Sequence, residues 1–498
     1  TYGGLLSAPS DGQIDLPAGR IKIKAAASLE KHPKAAKTSN NFHPDPIVTI
    51  PSTRLFFSSV GTRDVSCNRI TLAEKPRDYF TPITGIVGGC LIGLSAAVLL
   101  LFNGDILGAS GLASSFVVAP RKTLIDPTQQ WKLFFVGMFF LTTRIYVTIW
   151  PNALDDPRLG KPGIPLVSSA GYLVGGFFVG IGTRLGNGCT TGHGICGMAR
   201  LSIRSFVGVG SFMLTGVLTA TISSESGPIF RFLRDNSLDV AAYLPTLTSV
   251  IISSIIGSLI AAAGILGLIL RKAPDSATQD ENVELENNKR KILPSIASAF
   301  LFSVGLVVSQ MTLFSKIYGF LNMKLIPDGT WDPTLLCVMG GGFCISFLSY
   351  QWVKGFNIFK NRHAMDCPLS QKAECGKFNV PSNKIIDINL IIGEVLFGFG
   401  WGTAGWCPGP AMFLAFAGYP YLVYRWWPMF FVGSFIGEQI KNLQTRLKER
   451  ETSPTDDTGI QEETKQDINS KHDDTISNST LDADKSDFDK NQVDLTVA

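Results

Sequence analysis

Apolar positions in this chain come in long blocks separated by short polar breaks. About nine such stretches, at 84–103, 131–150, 168–186, 206–223, 243–270, 293–314, 333–353, 386–404 and 424–442, come close to the ~20 residues that a bilayer core demands. Four shorter apolar runs, 105–118, 189–201, 317–327 and 407–420, are interleaved with them. These are too short to cross and too apolar to be surface loops. Backbone that breaks at membrane depth survives only inside protein or beside a water-filled cavity. The pattern therefore predicts an all-α polytopic membrane protein with about nine transmembrane helices and four short re-entrant helices.

The blocks repeat. Gly175, Gly180, Gly182 and Cys189 return 218 positions later as Gly393, Gly398, Gly400 and Cys407. A weaker correspondence places Gly104-Asp105-Ile106-Leu107-Gly108 against Ser315-Lys316-Ile317-Tyr318-Gly319. Each half then reads as span, short piece, two spans, short piece, span, and the span at 243–270 separates the halves. Four spans plus one is odd, so the second half enters from the opposite side and the repeat is inverted. The expected division is a disordered polar extension over 1–80, membrane repeats over 81–223 and 292–443, a linking helix and charged loop over 224–291, and a disordered acidic tail over 444–498.

Composition supports this picture. The 498 residues are 45% hydrophobic and 17% charged, with 50 glycines, which packed membrane helices favour. A net charge of +4 gives no argument for nucleic acid. Nine cysteines, mostly in apolar segments, form no extracellular disulfide framework. The basic stretch from Arg20 to Lys37 is compatible with part of a transit peptide, and the true N-terminus is open because the chain starts at Thr1. Residues 449–498 carry fourteen Asp/Glu against five Lys/Arg, a solvated tail. Its Asn478-Ser479-Thr480 sequon reads best as a chance tripeptide. Arg121, Lys122, Arg200, Arg204, Lys289, Arg290, Lys354, Arg362 and Arg446 fall in one set of loops, and the opposite set is sparser. The positive-inside rule puts the richer set and the tail in the cytosol and the extension outside, with the plasma membrane the favoured location.

Candidate chemistry gathers at the breaks. Cys189 lies in Gly186-Asn187-Gly188-Cys189-Thr190-Thr191-Gly192-His193-Gly194, and Cys407 precedes Pro408-Gly409-Pro410. Glycine lets backbone approach a ligand, proline suits a first helical position, and the start of a short helix favours an anion. A duplicated broken helix with a thiol at the break points to a transport site. A soft, sulfur-bearing anion suits a thiol better than chloride or phosphate would. Such thiols act as neutral donors, because a thiolate would repel an anion. The alternative is that both cysteines are small packing residues. Cys189-x3-His193-x2-Cys196 matches no standard zinc spacing, so no metal or cofactor is expected. His193 reads as a hydrogen-bonded residue beside the path rather than a ligand or relay. Arg184 either attracts an incoming anion or reaches an interface or a carbonyl. Asn103 and Asp105 introduce the first short helix, with an N-cap as the plainer role. Glu394 either exchanges a proton or partners a nearby basic residue. Cys367 and Cys375 read as an ordinary loop pair.

The runs Asn103-Gly104-Asp105-Ile106-Leu107-Gly108-Ala109-Ser110-Gly111, Gly186 to Gly194 continuing through Arg200-Leu201-Ser202-Ile203-Arg204-Ser205, and Gly400-Trp401-Gly402 through Cys407-Pro408-Gly409-Pro410-Ala411 resemble the YeeE/YedE sulfur-transport family. The likeness spans about 84–442, as if two short proteins were joined. It implies a membrane carrier, not an enzyme, for thiosulfate or a related inorganic sulfur anion passed between cysteines by S–H···S hydrogen bonds. Cys189 and Cys407 are the matching pair. The implied path comprises Cys189, Cys407, Gly188, Thr190, Thr191, His193, Pro408, Gly409, Arg184, Asn103 and Ser110. The family's thiosulfate branch has a cysteine in the first hairpin, where this chain has Ala109-Ser110-Gly111, so sulfite and sulfide stay open as substrates. The partners implied are the sulfur anion and the lipid bilayer, with a cytosolic sulfur-handling protein as a candidate. The rival reading is a membrane sulfurtransferase that forms a cysteine persulfide.

Overall fold

A computed structural model describes residues 13–16, 19–22, 79–161, 163–224, 232–234, 243–270, 288–355, 378 and 385–452. Most of the expected extension, Cys67, Cys367, Cys375, Asn478 and the tail after Thr452 lie outside the described residues. The chain divides into two units, Thr1–Ile70 and Thr71–Ala498. Within the first, Gln13–Leu16 pairs antiparallel with Gly19–Lys22, a short hairpin inside the stretch expected to be disordered.

The second unit is helical. Its helices are α1 (Pro82–Val98), α2 (Ala109–Val118), α3 (Pro120–Ile125), α4 (Trp131–Ile149), α5 (Ser169–Gly186), α6 (Ile203–Ser223), α7 (Leu247–Leu270), α8 (Ile292–Val308), α9 (Phe314–Leu321), α10 (Thr334–Val353), α11 (Ile388–Ala404), α12 (Pro408–Ala417) and α13 (Trp427–Thr452). A π-helical segment, Thr190–Gly197, occupies the piece between α5 and α6. Six helices among the described residues are long and apolar enough to cross a membrane, and the pair α11–α12, bent by 40° at its break, makes a seventh if it counts as one span. The protein is an integral, multi-pass membrane protein.

Nine such helices are not reached among the described residues. The expected spans at 168–186 and 424–442 are helices, α5 and α13, but neither meets the length-and-hydropathy test. The reason differs between them: α13 turns polar after Ile436, with Glu438, Gln439, Lys441 and Asn442, whereas α5 is packed inside the bundle. Twelve of the eighteen residues of α5 are buried against other helices, so glycine and a paired arginine replace lipid-facing aliphatics. The window of α7, by contrast, is only 17% buried. The other departures are at boundaries. α8 stops at Val308 rather than 314, and α13 runs nine residues past the expected boundary at 443, to Thr452.

Local sequence explains the helix ends. The Ser168 hydroxyl accepts from Gly171 N at 3.0 Å at the start of α5, and the Asp387 carboxylate accepts from Leu390 N at 3.2 Å at the start of α11. Left-handed residues follow all four helices that precede a short piece: Gly104 (φ 72°), Asn187 (62°), Gln310 (61°) and Gly405 (75°). At two of these the strained conformation falls on a non-glycine residue, and Asn187 tolerates it best.

Close glycine contacts set the packing. α5 and α11 run antiparallel, with Gly175 against Gly400 and Ala404, Gly182 against Gly393 and Phe397, and Gly186 against Gly393 and Glu394. A Cβ on Gly182 or Gly393 would overlap the facing backbone. Gly180 meets the Phe430 carbonyl of α13, while Gly398 meets the Phe212 carbonyl of α6. The two glycines and the two phenylalanines are each 218 positions apart, as the cysteines are. α1 and α8 are also antiparallel, held by Ser95 Oγ and Ser298 Oγ at 2.9 Å.

Candidate functional site

Both cysteines stand where the sequence places them, at the head of a short helical piece. Cys189 has extended backbone and precedes the π segment; Cys407 is likewise extended, and Pro408 begins α12. The first is fully buried and the second is 7% exposed. π segments are rare and recur at functional sites.

The two breaks meet. The Thr190 side chain lies beside the Cys407 thiol, and Cys189 lies within electrostatic range of Cys407. Cys196 is close to the same group. Its thiol donates to the Leu107 carbonyl at 3.6 Å, interacts with Cys189, and lies against Tyr350. Three buried sulfurs thus lie around the ends of two short helical pieces. The first break is present as well, through the Leu107 carbonyl rather than through a side chain. Ala109 approaches Gly409, whose missing Cβ would sit 3.9 Å from the Ala109 Cβ and 2.9 Å from the Phe302 ring.

The remaining sequence candidates separate into neighbours and bystanders. Gly188 is covered by the His193 ring, Thr191 is buried, and Pro408 and Gly409 form the buried first turn of α12. Ser110 is buried in the first turn of α2. His193 is hydrogen-bonded, Nδ1 to Ser205 Oγ at 3.1 Å and Nε2 to the Gly186 carbonyl at 3.2 Å. Asn103 does not cap a helix. It ends the π turn after α1 and donates to the Lys291 carbonyl at 3.1 Å and Ser295 Oγ at 2.7 Å, while Gly108 holds the N-cap of α2. Asp105 pairs with Lys291 Nζ at 3.2 Å. Arg184 turns toward α13, where its Nε meets Glu438 Oε2 at 2.6 Å. Its charge is matched within the helix bundle.

Other residues at the site were not singled out from sequence. Trp406 and Phe314 have ring centroids 5.9 Å apart, and both line a cavity of about 230 Å³ together with Thr312, Tyr172, Tyr243 and Tyr421. The cavity therefore opens beside the residue that precedes Cys407. A tryptophan in a long apolar run carries no signal of its own; only its position before the break cysteine could have marked it. Among the described residues, no group of three or more His, Cys, Asp or Glu side chains is arranged to hold a metal ion.

Comparison with known proteins places this geometry in context. A family model described as sulphur transport matches residues 156–219, which span α5, the first cysteine break and most of α6. A model for a family of unknown function, DUF6691, matches residues 290–451, which hold the second break. The chain is similar to a probable transporter of Xylella fastidiosa (strain Temecula1), 37% identical over 145 residues, covering 29% of this chain and 94% of that protein. A probable transporter of strain 9a5c is 36% identical over 145 residues, with the same coverage of 29% and 94%. Another from strain 9a5c is 35% identical over 118 residues, 24% of this chain and 70% of that protein.

Proposed function

The chain belongs to the YeeE/YedE sulfur-transport family, and on that premise we propose that it carries a small inorganic sulfur anion, thiosulfate foremost, between Cys189 and Cys407. The observation that carries this reading is the convergence of two helix breaks, each headed by a buried cysteine, with the Thr190 side chain of one beside Cys407 of the other. A thiol donates weakly and presents a large polarizable surface. It can hold the outer sulfur of thiosulfate without stripping it of hydration as tightly as an arginine would. Weak binding at successive sites is what passage requires, since a deep well would trap the ion.

Chain inversion supports the arrangement. Exchanging α5 with α11 and α6 with α13 carries the Gly180–Phe430 contact onto the Gly398–Phe212 contact, and the antiparallel α5–α11 pair onto itself. An inverted repeat with its axis in the membrane plane would pair the helices in this way. The cysteines then approach from opposite sides, each on its own break. Cys196 adds a third thiol near the Leu107 carbonyl, where this chain lacks a hairpin cysteine. The loop charges favour a cytosolic end for α13 and its tail.

Uptake of labelled thiosulfate into proteoliposomes holding the full chain tests the reading, with sulfite, sulfide and sulfate as competitors. The Cys189→Ala, Cys407→Ala double variant should lose uptake while keeping its detergent melting temperature. Wild-type uptake by that double variant would end the cysteine path.

A further inference from the structure

Glu394 is fully buried in α11, two turns from the start of the helix, in a space that Gly186 leaves open by having no Cβ. His193 Nε2 lies 3.3 Å from its Oε1, yet neither carboxylate oxygen receives a well-directed hydrogen bond among the described residues. An ionised carboxylate so placed is expensive, and an ionisable residue inside a membrane protein calls for a role.

The charged surroundings are largely committed elsewhere. The segment after α5 presents His193 and Cys189 to Glu394, and the turn into α6 presents Arg200 and Arg204 to the pair. Arg204 donates to Asp387 Oδ1 at 2.8 Å and to the Ile385 carbonyl. From α13, Glu438 holds Arg184, and Lys441 donates to Asn187 Oδ1. The ionisable side chain in contact with the Glu394 carboxylate is the His193 imidazole, 3.3 Å away.

Hydrogen-bond chemistry limits the states of this pair. His193 Nε2 faces a carbonyl oxygen, which only accepts, so Nε2 carries hydrogen and Nδ1 of the neutral ring accepts from the Ser205 hydroxyl. With the ring neutral, the pair bears one negative charge when Glu394 is ionised and none when Glu394 holds a proton. The pair also breaks the repeat. The positions 218 residues away from Glu394 and His193 are Gly176 and Ala411, so only one of the two matching cysteine breaks has an ionisable base beside it.

We propose that the Glu394–His193 pair is a proton-binding site coupled to passage of the sulfur anion past Cys189. The proposal rests on the transport reading above. A proton from water bonds to a carboxylate oxygen of Glu394, and the local charge falls from minus one to zero. An anion entering beside Cys189 then meets a neutral neighbour instead of a negative one. By linkage, whatever the proton does for the anion, the anion does for the proton. The proton leaves again once the anion has moved on toward Cys407.

The test uses the full chain in proteoliposomes, with labelled thiosulfate outside and a pH-sensitive dye inside. An inward acid gradient of about one pH unit should raise thiosulfate accumulation about tenfold per coupled proton, with the dye reporting acid entry in step with thiosulfate. In Glu394→Gln the ratio of accumulation with and without the gradient should fall to about one. Infrared difference spectra should show a protonated carboxyl band that titrates in the wild type, shifts in His193→Gln and is missing from Glu394→Gln. Thiosulfate uptake without proton movement and without response to the gradient would overturn the proposal and leave the transport reading intact. If no sulfur anion enters at all, the transport reading fails and the infrared titration alone decides: the Glu394 band upholds a proton site, and a wild-type spectrum without it removes one.

Discussion

Thr190 stands beside Cys407, so the residue that follows one break's thiol touches the thiol of the other. The contact joins two segments more than two hundred positions apart, and it connects them through a polar atom inside a largely apolar core.

Removing that atom should therefore weaken passage more than it weakens the fold. Thr190→Val keeps the branched shape and deletes the hydroxyl. Loss of a polar contact of hydrogen-bond size is worth about 1 kcal/mol, so uptake should fall roughly fivefold with little change in melting temperature. Equal rates for the variant and the wild type would separate Thr190 from the path.

The glycines between α5 and α11 should prove far less tolerant. Gly182→Ala or Gly393→Ala drives a methyl into facing backbone, and such overpacking costs roughly 1–3 kcal/mol or more. Gly210→Ala, on α6 with nothing within 4 Å of the added methyl, should hold or gain stability, since alanine favours a helix by about 1 kcal/mol over glycine. Thermal unfolding in detergent compares the three. A Gly182→Ala protein as stable as Gly210→Ala would contradict the close approach of the two helices.

Arg184 can be assigned to structure or to substrate by a pair of substitutions. Arg184→Gln leaves the Glu438 carboxylate without its partner and should cost about 1–3 kcal/mol. Arg184→Gln with Glu438→Gln should recover most of that loss, because both charges are gone. Uptake that returns with stability marks a packing ion pair. Uptake that stays absent in the restored double variant marks an arginine that serves the anion.

The register of α1 against α8 can be trapped directly. Ser95 Oγ and Ser298 Oγ are 2.9 Å apart, so small side-chain rotations would bring sulfurs at these two positions to the bond length of a disulfide. Ser95→Cys with Ser298→Cys should cross-link on mild oxidation, and peptide mapping should recover that bridge. Failure of the pair to cross-link, with cross-linking found instead between position 95 and a neighbouring turn of α8, would shift the register.

Much of this arrangement was legible before any coordinates. The breaks at Cys189 and Cys407 show because Gly-Asn-Gly and Ala-Gly-Trp interrupt apolar runs, and α5 and α11 start within about two residues of the apolar blocks at 168–186 and 386–404. The count of spans was less legible. α5 looks like a membrane helix in sequence, yet its surroundings are mostly protein, and only packing tells a lipid-facing leucine from a buried glycine; α13 is apolar over its first half alone. Arg184 showed the same limit, since its partner Glu438 lies 254 positions away. Asn103 looked like a cap because it precedes a short helix, but it binds α8 across the bundle instead.

The sequence by itself determined that the protein is helical, crosses a membrane several times, and repeats a glycine-cysteine break. Those properties arise from hydrophobic block length and local backbone chemistry, which act over a few residues. Tertiary structure alone decided that the two breaks face each other, that Cys196 joins them, and that Glu394 lies unbonded beside His193. Those are distances between segments far apart in the chain, fixed by how closely glycine lets helices approach, and no local pattern encodes them.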